Sequence, residues 1–291
     1  MEEVVRLGIS AVLLAGLYSV MAYGLGLIYG VLRIVNLAHA GVIMAAAYVT
    51  WLLHSRLGID PYLAIPVILV VFFIFGVLLY KGVVRFLPRG AAGGVQSLLL
   101  LFGIWLVMRN GAYLLFSGND RAIRTEYSTH SISIFGTSVA QSRVVVFVIA
   151  VLTLAALHLF LTRTYTGKAI RAVAQNPDSG TIVGVNVERF YALTFGIGTS
   201  LGGLAGLLLA TIFAFNPTSG AVELLKSFVV VVLGGLGSVV GIALGALVLA
   251  FAESYAILIL PSYLTAAVSF VLLVVVLVLR PGGLFGQRVL A

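Results

Sequence analysis

Long apolar stretches separated by short polar connections make up almost the whole chain. A helix of about 20 apolar residues spans about 30 Å of hydrocarbon. With turn residues and charges taken as the ends of each run, the apolar runs predict nine membrane crossings. They cover residues 7–30, 37–53, 62–80, 95–116, 144–161, 190–215, 224–236, 239–258 and 263–279. The pattern predicts an all-α, polytopic helical membrane protein with a single transmembrane domain over residues 1–291.

The seventh predicted crossing, residues 224–236, is too short to pass straight through a bilayer. It ends at Gly234-Gly-Leu-Gly-Ser238, which is either a tight turn or the tip of a broken helix. A broken helix is tolerated within a membrane only where protein or a polar cavity surrounds its irregular backbone. We therefore expect about eight or nine transmembrane helices, one of them short or broken. Glycines at four-residue spacing, which predict close helix packing, occur at 26 and 30, at 198, 202 and 206, and at 237, 241 and 245.

Composition supports this fold class. The chain is 62% hydrophobic and 9% charged, whereas soluble domains are about half apolar and a quarter charged. It contains no cysteine, which excludes disulfides, thiolate nucleophiles and cysteine-based metal sites. We predict no metal site, because neither His54 nor His158 has a second ligand at suitable spacing. Glu2 and Glu3 precede Arg6 where a signal peptide would be basic, so we expect the first apolar segment to be retained.

The basic residues predict an orientation. The formal net charge of +8 is typical of a membrane protein with basic cytoplasmic loops rather than of a nucleic-acid partner. With the polar segment 163–189 inside, nine crossings place the N-terminus outside and the C-terminus in the cytoplasm. The inner side then carries Arg33, Lys81, Arg85, Arg89, Arg163, Lys168, Arg171, Arg189, Arg280 and Arg288, and the outer side carries Arg6, Arg56, Arg121, Arg124, Arg143 and Lys226. This excess of inner bases favours the orientation. The external loop 117–143 is rich in Ser and Thr, so we expect irregular or strand-like structure there.

The inner segment 163–189 has the pattern of a basic amphipathic helix. Nothing from Gly167 to Gln175 breaks a helix, and the polar stripe (Lys168, Arg171, Gln175) is separate from the apolar stripe (Ile170, Val173, Ala174). Asn176-Pro177 ends the helix, because the residue before proline is disfavoured in helical conformation. Asp178 can cap a second short helix over residues 179–183, and Gly184 can end it. Such a pair of helices either lies on anionic lipid or docks a partner protein.

The residues that the chain lacks favour a docked partner as its source of energy. The chain has no G-x-x-x-x-G-K-[ST] loop, so we expect it to bind no ATP by such a loop and to need no cofactor of its own. Ionisable residues within the predicted crossings are few, namely Arg109, Glu253 and His39. A proton- or sodium-coupled carrier usually needs carboxylates along its path. Energy from a separate subunit is therefore favoured, while an ion-coupled or facilitative carrier or channel for small polar solutes stays open.

Four polar residues are candidates for a translocation pathway. Asn36 and His39 stand where the second crossing begins, so they line the inner mouth of the pathway or satisfy the start of a helix. Arg109 and Glu253 lie towards the outer ends of their crossings. Because a buried unpaired charge is costly, we expect these two to pair with each other or to face an aqueous vestibule. We find no nucleophile and base within the spans, and therefore expect no enzymatic activity and no catalytic residues.

Four motifs make the chain recognisable. They are YGVLRIVNLAH at 29–39, GKAIRAVAQNP at 167–177, VLGGLGS at 232–238 and RPGGLFG at 280–286. In this order they resemble the permease subunits of bacterial branched-chain amino-acid ABC importers. The resemblance runs over essentially the full length and is closest to the shorter, LivH-type subunit.

The resemblance implies an inner-membrane importer that works by alternating access. This subunit would pair with a second, LivM-like permease, two cytoplasmic ABC ATPases and a periplasmic substrate-binding protein. The region from Gly167 to Gly184, with Lys168, Arg171, Asn176, Pro177 and Asp178, then looks like the coupling helices that enter a groove on an ATPase. The chain departs from the family pattern at Gly180 and at Arg109-Asn110. The second departure leaves open an ABC permease for urea or amides.

Overall fold

The protein is almost entirely helical in the part of the chain that the computed structural model describes, which is residues 2–88, 91–134, 136–177, 186–235, 237–261, 264–280 and 282–284. The helices are α1 (Glu2–Leu32), α2 (His39–Leu57), α3 (Ile65–Gly82), α4 (Ala91–Phe116), α5 (Glu126–Thr129), α6 (Gln141–Arg163), α7 (Tyr165–Gln175), α8 (Val187–Ile212), α9 (Ser219–Gly234), α10 (Val239–Ala256) and α11 (Thr265–Leu279). A 3-10 turn (Val84–Phe86) follows α3, and strands β1 (Ser131–Ile134) and β2 (Thr137–Ala140) precede α6.

The predicted fold class is confirmed. Seven helices within the described residues are long and apolar enough to cross a membrane, namely α1, α2, α3, α4, α6, α8 and α10. Helices α9 and α11 have 16 and 15 residues. At 1.5 Å per residue they measure about 24 Å and about 22 Å. Each of the nine predicted crossings contains one helix, and the short seventh one is α9.

Helices α1 and α8 form the centre of the bundle. In each of them 89% of the most apolar window is buried, compared with 11% for α4 and 22% for α6. The peripheral helices expose large apolar side chains, such as Leu99, Leu114 and Leu152. Lipid tails are as apolar as leucine, so these side chains lose nothing by facing the bilayer.

Glycines make the closest contacts between the central helices. Gly24 of α1 lies against Gly198 and Gly202 of α8, and Gly206 of α8 packs on the backbone carbonyl of Ile43 in α2. A methyl group at Gly206 would overlap that carbonyl oxygen. Because apolar burial drives little helix association in lipid, small residues stabilise the bundle by letting backbones approach and gain dispersion contacts. The packing role predicted for the glycines at 198, 202 and 206 is confirmed.

Helix α2 begins in the middle of the bundle rather than level with the end of α1. The Nε2 atom of His39, the first residue of α2, lies 2.9 Å from the carbonyl oxygen of Met21 in α1. Met21 is eleven residues before the end of α1, which corresponds to about 16 Å along the helix axis. The non-helical residues 33–38 therefore run back into the bundle before α2 starts. Such backbone is tolerated at this depth only because protein encloses it.

Helices α9 and α10 form a hairpin with an unusually close contact. A methyl group at Gly234 would meet the backbone of Gly241, and Gly235 and Gly237 both have positive φ in the connection. The tip shares a cleft with residues of α6 and α7, so α9 runs towards the side of the molecule that carries α7. At its other end, Gly220 packs on the carbonyl group of Ala40. The start of α9 thus lies beside the start of α2.

The predicted placement of Glu223 and Lys226 is wrong. The charge count places Lys226 on the outer side although it lies within the seventh predicted crossing, and α9 begins at Ser219, five residues before that crossing, so it contains both residues. Hydropathy starts the crossing after Glu223 because a glutamate ends an apolar run. In the folded chain Lys226 instead contacts Tyr18 of α1 and Glu253 of α10, and these contacts let the charged turn belong to the helix.

The loop over residues 117–143 has the short irregular and strand-like structure that its composition predicts. It contains α5 and the β1–β2 hairpin, in which Ser131 lies opposite Ala140. Arg121 and Phe215 exchange two backbone hydrogen bonds of 2.8 Å, which attach the loop to the connection between α8 and α9. The Tyr127 hydroxyl donates to the Asp60 carboxylate at 2.7 Å. Burial and this hydrogen bond both raise the pKa of Tyr127.

A pair of glycine substitutions tests the packing of the bundle centre. Gly206→Ala should lower the free energy of unfolding by about 1–3 kcal/mol, because the added methyl group overpacks the contact with α2. Gly103→Ala in α4 is the matched control, since no atom lies within 4 Å of a methyl group there, and it should be neutral or stabilising by up to about 1 kcal/mol. Thermal unfolding of the detergent-solubilised protein measures both. Equal effects would contradict the assigned packing.

Candidate functional site

The first candidate site is the surface of α7, on the side of the bundle where α1 ends and α8 begins. The helix starts at Tyr165, two residues before its predicted start, because the Thr164 hydroxyl oxygen caps it by accepting a hydrogen bond of 3.0 Å from the Gly167 amide. It ends at Gln175, as predicted. Asn176 then has an extended backbone with φ −152° and ψ 102°, which is the conformation expected before proline.

The two predicted stripes of α7 are present. Ile170 and Val173 are fully buried, and α7 packs on α1, α6 and α8. Lys168 and Arg171 are exposed on the opposite side. The helix is therefore attached to the bundle by its apolar face and presents a basic face outwards. Asp178 and Gly184, which the second predicted short helix would use, lie outside the described residues.

Gly167 has a structural reason to be glycine. A methyl group there would overlap the carbonyl oxygen of Phe160 and the Cα of Leu161. The chain turns from α6 into α7 within one residue, and only the absence of a side chain at Gly167 lets the two backbones lie this close. Gly167 therefore fixes the position of the basic face relative to α6.

Two further features of this surface were missed from the sequence. Tyr165 is a large side chain that is 81% exposed at the start of α7. Beyond the other end of α7, a cleft of about 540 Å³ is lined by residues that include Arg33, Arg85, Asn176 and Glu188. The exposed tyrosine could have been predicted, because Tyr165 directly follows the polar residues Arg163 and Thr164. The cleft combines residues that are far apart in sequence, so no local pattern could have revealed it.

The second candidate site is a set of buried polar groups at the start of α2. Asn36 is 1% exposed and His39 is 0% exposed. Both polar atoms of the Asn36 amide and the His39 Nδ1 atom find no hydrogen-bond partner among the described residues. His39 Nε2 bonds the Met21 carbonyl oxygen in the middle of α1, and no side chain caps the start of α2. Unsatisfied buried polar groups are rare in proteins and call for an explanation such as water or a solute.

Glu253 is held by three other helices. Its Oε1 atom accepts a hydrogen bond of 2.5 Å from Ser269 of α11, and its Oε2 atom accepts one of 2.5 Å from Tyr18 of α1. The Lys226 Nζ atom of α9 lies 3.7 Å from Oε2 and 2.9 Å from the Tyr18 hydroxyl oxygen. One carboxylate therefore joins α1, α9, α10 and α11.

The predicted pair of Glu253 and Arg109 is wrong. Both carboxylate oxygens of Glu253 are occupied by the contacts just described. Arg109 belongs to the peripheral helix α4, where its guanidinium group lies 6.0 Å from the Trp105 ring centre and 5.8 Å from the Tyr113 ring centre. The structure therefore does not bring Arg109 together with Asn36, His39 or Glu253. The true partner, Lys226, was missed because the charge count assigned it to the outer side.

Polar and charged groups enclosed by membrane-spanning helices mark solute pathways, so the fold and these sites together define a multi-pass membrane transport protein. The comparison with known families agrees. Residues 8–277 match the family described as "Branched-chain amino acid transport system / permease component". The chain belongs to this family.

Curated relatives extend over nearly the whole chain. The chain is 29% identical to the high-affinity branched-chain amino acid transport system permease protein LivH of Escherichia coli K12, over 96% of this chain and 94% of the relative. It is 28% identical to the permease protein BraD of Pseudomonas aeruginosa, over 93% and 92%. A probable LivH of Methanocaldococcus jannaschii is 26% identical over 95% and 90%. No solved structure gives a significant match.

The charged cluster generates a stability prediction. Glu253→Gln should lower the free energy of unfolding by roughly 2 kcal/mol or more, because it removes the charge of the carboxylate that joins Tyr18, Lys226 and Ser269. Arg109→Gln should cost less, since among the described residues the Arg109 guanidinium group lies near the aromatic rings of Trp105 and Tyr113 in its own helix. Combining Glu253→Gln with Lys226→Met should recover part of the loss. An additive double variant, measured by thermal unfolding in detergent, would argue against the ion pair.

Proposed function

We propose that this chain is the membrane permease subunit of an ATP-driven importer of branched-chain amino acids and that it catalyses no reaction itself. The observation that carries the proposal is the exposed basic face of α7, joined to an apolar face that is fully buried in the bundle. Family membership supports the transport role, and the names of the full-length relatives support this class of substrate.

The proposed assembly contains this chain, a second LivM-like permease, two cytoplasmic ABC ATPases and a periplasmic substrate-binding protein, in the bacterial inner membrane. The ATPase docks on the residues from Gly167 to Gly184. Lys168 and Arg171 provide the charge, Tyr165 provides an exposed aromatic contact, and the corner at Gly167 fixes their position. Tyrosine and arginine are both more frequent at protein interfaces than on the rest of the protein surface. If α7 instead merely lies on anionic lipid, charge reversal at Lys168 and Arg171 should leave ATPase binding unchanged.

Transport proceeds by alternating access along a pathway that includes Asn36 and His39. Their unsatisfied polar atoms lie deep in the bundle, where water or a passing solute can use them. Glu253 acts in the pathway through its neighbours Lys226 and Tyr18. In the proposed orientation the N-terminus and residues 117–143 lie outside, whereas α7 and the C-terminus lie in the cytoplasm.

Charge reversal on α7 tests ATPase docking. The double variant Lys168→Glu and Arg171→Glu should reduce the amount of co-purified ATPase by about tenfold or more, because each reversal removes a charge-assisted contact. The matched control is Arg6→Glu with Arg124→Glu, which makes the same change of charge at two exposed residues on the proposed outer side. Both double variants should insert normally. Unchanged ATPase recovery with the α7 variant would favour the lipid alternative.

Site-specific labelling tests the orientation. The chain has no cysteine, so single cysteines can be introduced without further changes. Tyr165→Cys should react with a membrane-impermeant maleimide only in inside-out vesicles, whereas Ser133→Cys in β1 should react only in right-side-out vesicles. Labelling of Tyr165→Cys from the outside would overturn both the orientation and the docking proposal.

A further inference from the structure

A charged cluster lies inside the bundle between α1, α9 and α10, near the start of α2. It consists of Tyr18, Glu223, Lys226 and Glu253. Glu223 precedes Lys226 by three residues, so the two side chains share one face of α9. One turn earlier on the same helix, Gly220 packs on the backbone of Ala40, the residue that follows His39. The cluster therefore lies about one helical turn from the start of α2, where Asn36 and His39 stand.

The hydrogen-bonding groups of this cluster do not satisfy one another completely. Glu253 uses both carboxylate oxygens. Lys226 donates a hydrogen bond of 2.9 Å to the Tyr18 hydroxyl oxygen, and its Nζ atom lies 3.7 Å from Glu253 Oε2 as an ion pair, so at least one of its three N–H donors is unused. The Oε2 atom of Glu223 is buried and finds no hydrogen-bond partner among the described residues. One cationic donor and one carboxylate oxygen therefore remain available on the same face of α9.

These available groups cannot face lipid. The Lys226 side chain is 19% exposed, Glu223 is partly exposed, and Val222 beside it is 48% exposed. Charged side chains within membrane-spanning segments face the interior of an assembly or a water-filled cavity, because exposure to hydrocarbon costs too much. This side of α9 therefore lies towards either the second permease or the water-filled path between the two subunits.

We infer that Glu223 and Lys226 form a binding site for the charged backbone of an amino acid on its way through the membrane. The inference rests on the proposed function and adds the groups that recognise the solute. Glu223 accepts a hydrogen bond from the α-ammonium group, and the free N–H of Lys226 donates to the α-carboxylate. Glu253 and Tyr18 position Lys226 from behind, so they are positioning residues rather than ligands.

The pairing of opposite charges explains why a zwitterion suits this site. Its α-ammonium group compensates Glu223 and its α-carboxylate compensates Lys226, while the net charge of the site stays the same because a zwitterion carries none. Urea or an amide offers no such charge and would leave Glu223 uncompensated. A site built for a charged or hydrogen-bonding group rejects analogues that lack it, because its own polar groups then remain unpaired.

The substitution that tests this site is Glu223→Gln. The complete importer, reconstituted in proteoliposomes with saturating leucine-loaded binding protein, should take up radiolabelled leucine about tenfold or more slowly, the loss expected for one charge-assisted hydrogen bond. Its thermal midpoint should not fall, because the Oε2 atom of Glu223 makes no contact to lose. The ATPase rate stimulated by the loaded binding protein should stay within about twofold, because docking occurs at α7. Glu223→Asp should restore part of the uptake.

Glu3→Gln is the matched control, because Glu3 is a carboxylate near the start of α1 whose side chain is 65% exposed. It should leave uptake unchanged. Normal uptake by Glu223→Gln would overturn the inference, and it would be the result if Glu223 merely carries a proton. Lost uptake together with a lower thermal midpoint would also overturn it, since Glu223 would then be structural. Failure of the unsubstituted importer to take up leucine with ATP would count against the proposed function instead.

Discussion

Close approach of backbones between α1 and α8 is the contact on which the rest of the bundle depends. In a bilayer the burial of apolar side chains gives little net attraction, so helices associate through dispersion contacts and hydrogen bonds that require short distances. The glycines at 24, 198 and 202 provide those distances and leave room for the His39 ring between the two helices. A buried polar group at this depth is acceptable only because the helices around it exclude lipid. The same contact thus stabilises the fold and makes a polar interior possible.

Two helices, α2 and α9, begin beside each other. The non-helical segment before α2 places backbone polar groups inside the bundle, whereas the connection before α9 is attached to the loop over residues 117–143 through the backbone of Phe215. The arrangement before α2 is costly in lipid and is found where protein or a polar cavity surrounds it. Here it brings Asn36 and His39 on one side, and Glu223 and Lys226 on the other, to neighbouring positions. Transport proteins commonly place solute sites at such interrupted helices.

The sequence was most informative where the physical signal is local. Nine apolar runs predict nine helices because the need for about 20 apolar residues does not depend on tertiary contacts. The two stripes of α7 are equally local, and they predict its buried and exposed faces correctly. The start of α9 was missed because hydropathy cannot anticipate that Lys226 and Glu253 compensate each other across helices. The same limitation led to Arg109 as the partner of Glu253. The resemblance of four motifs indicated the family, which no pattern of apolar residues could have done.

The corner at Gly167 has a mechanical consequence. Thr164 caps α7, and no side chain separates α7 from the last turn of α6. The two helices are therefore joined by a short and rigid connection. A displacement of α7 would rotate α6 instead of being absorbed by bending of a linker. Inserting even one flexible residue between α6 and α7 would therefore weaken the mechanical coupling between the two helices, although the exposed surface of α7 would stay intact.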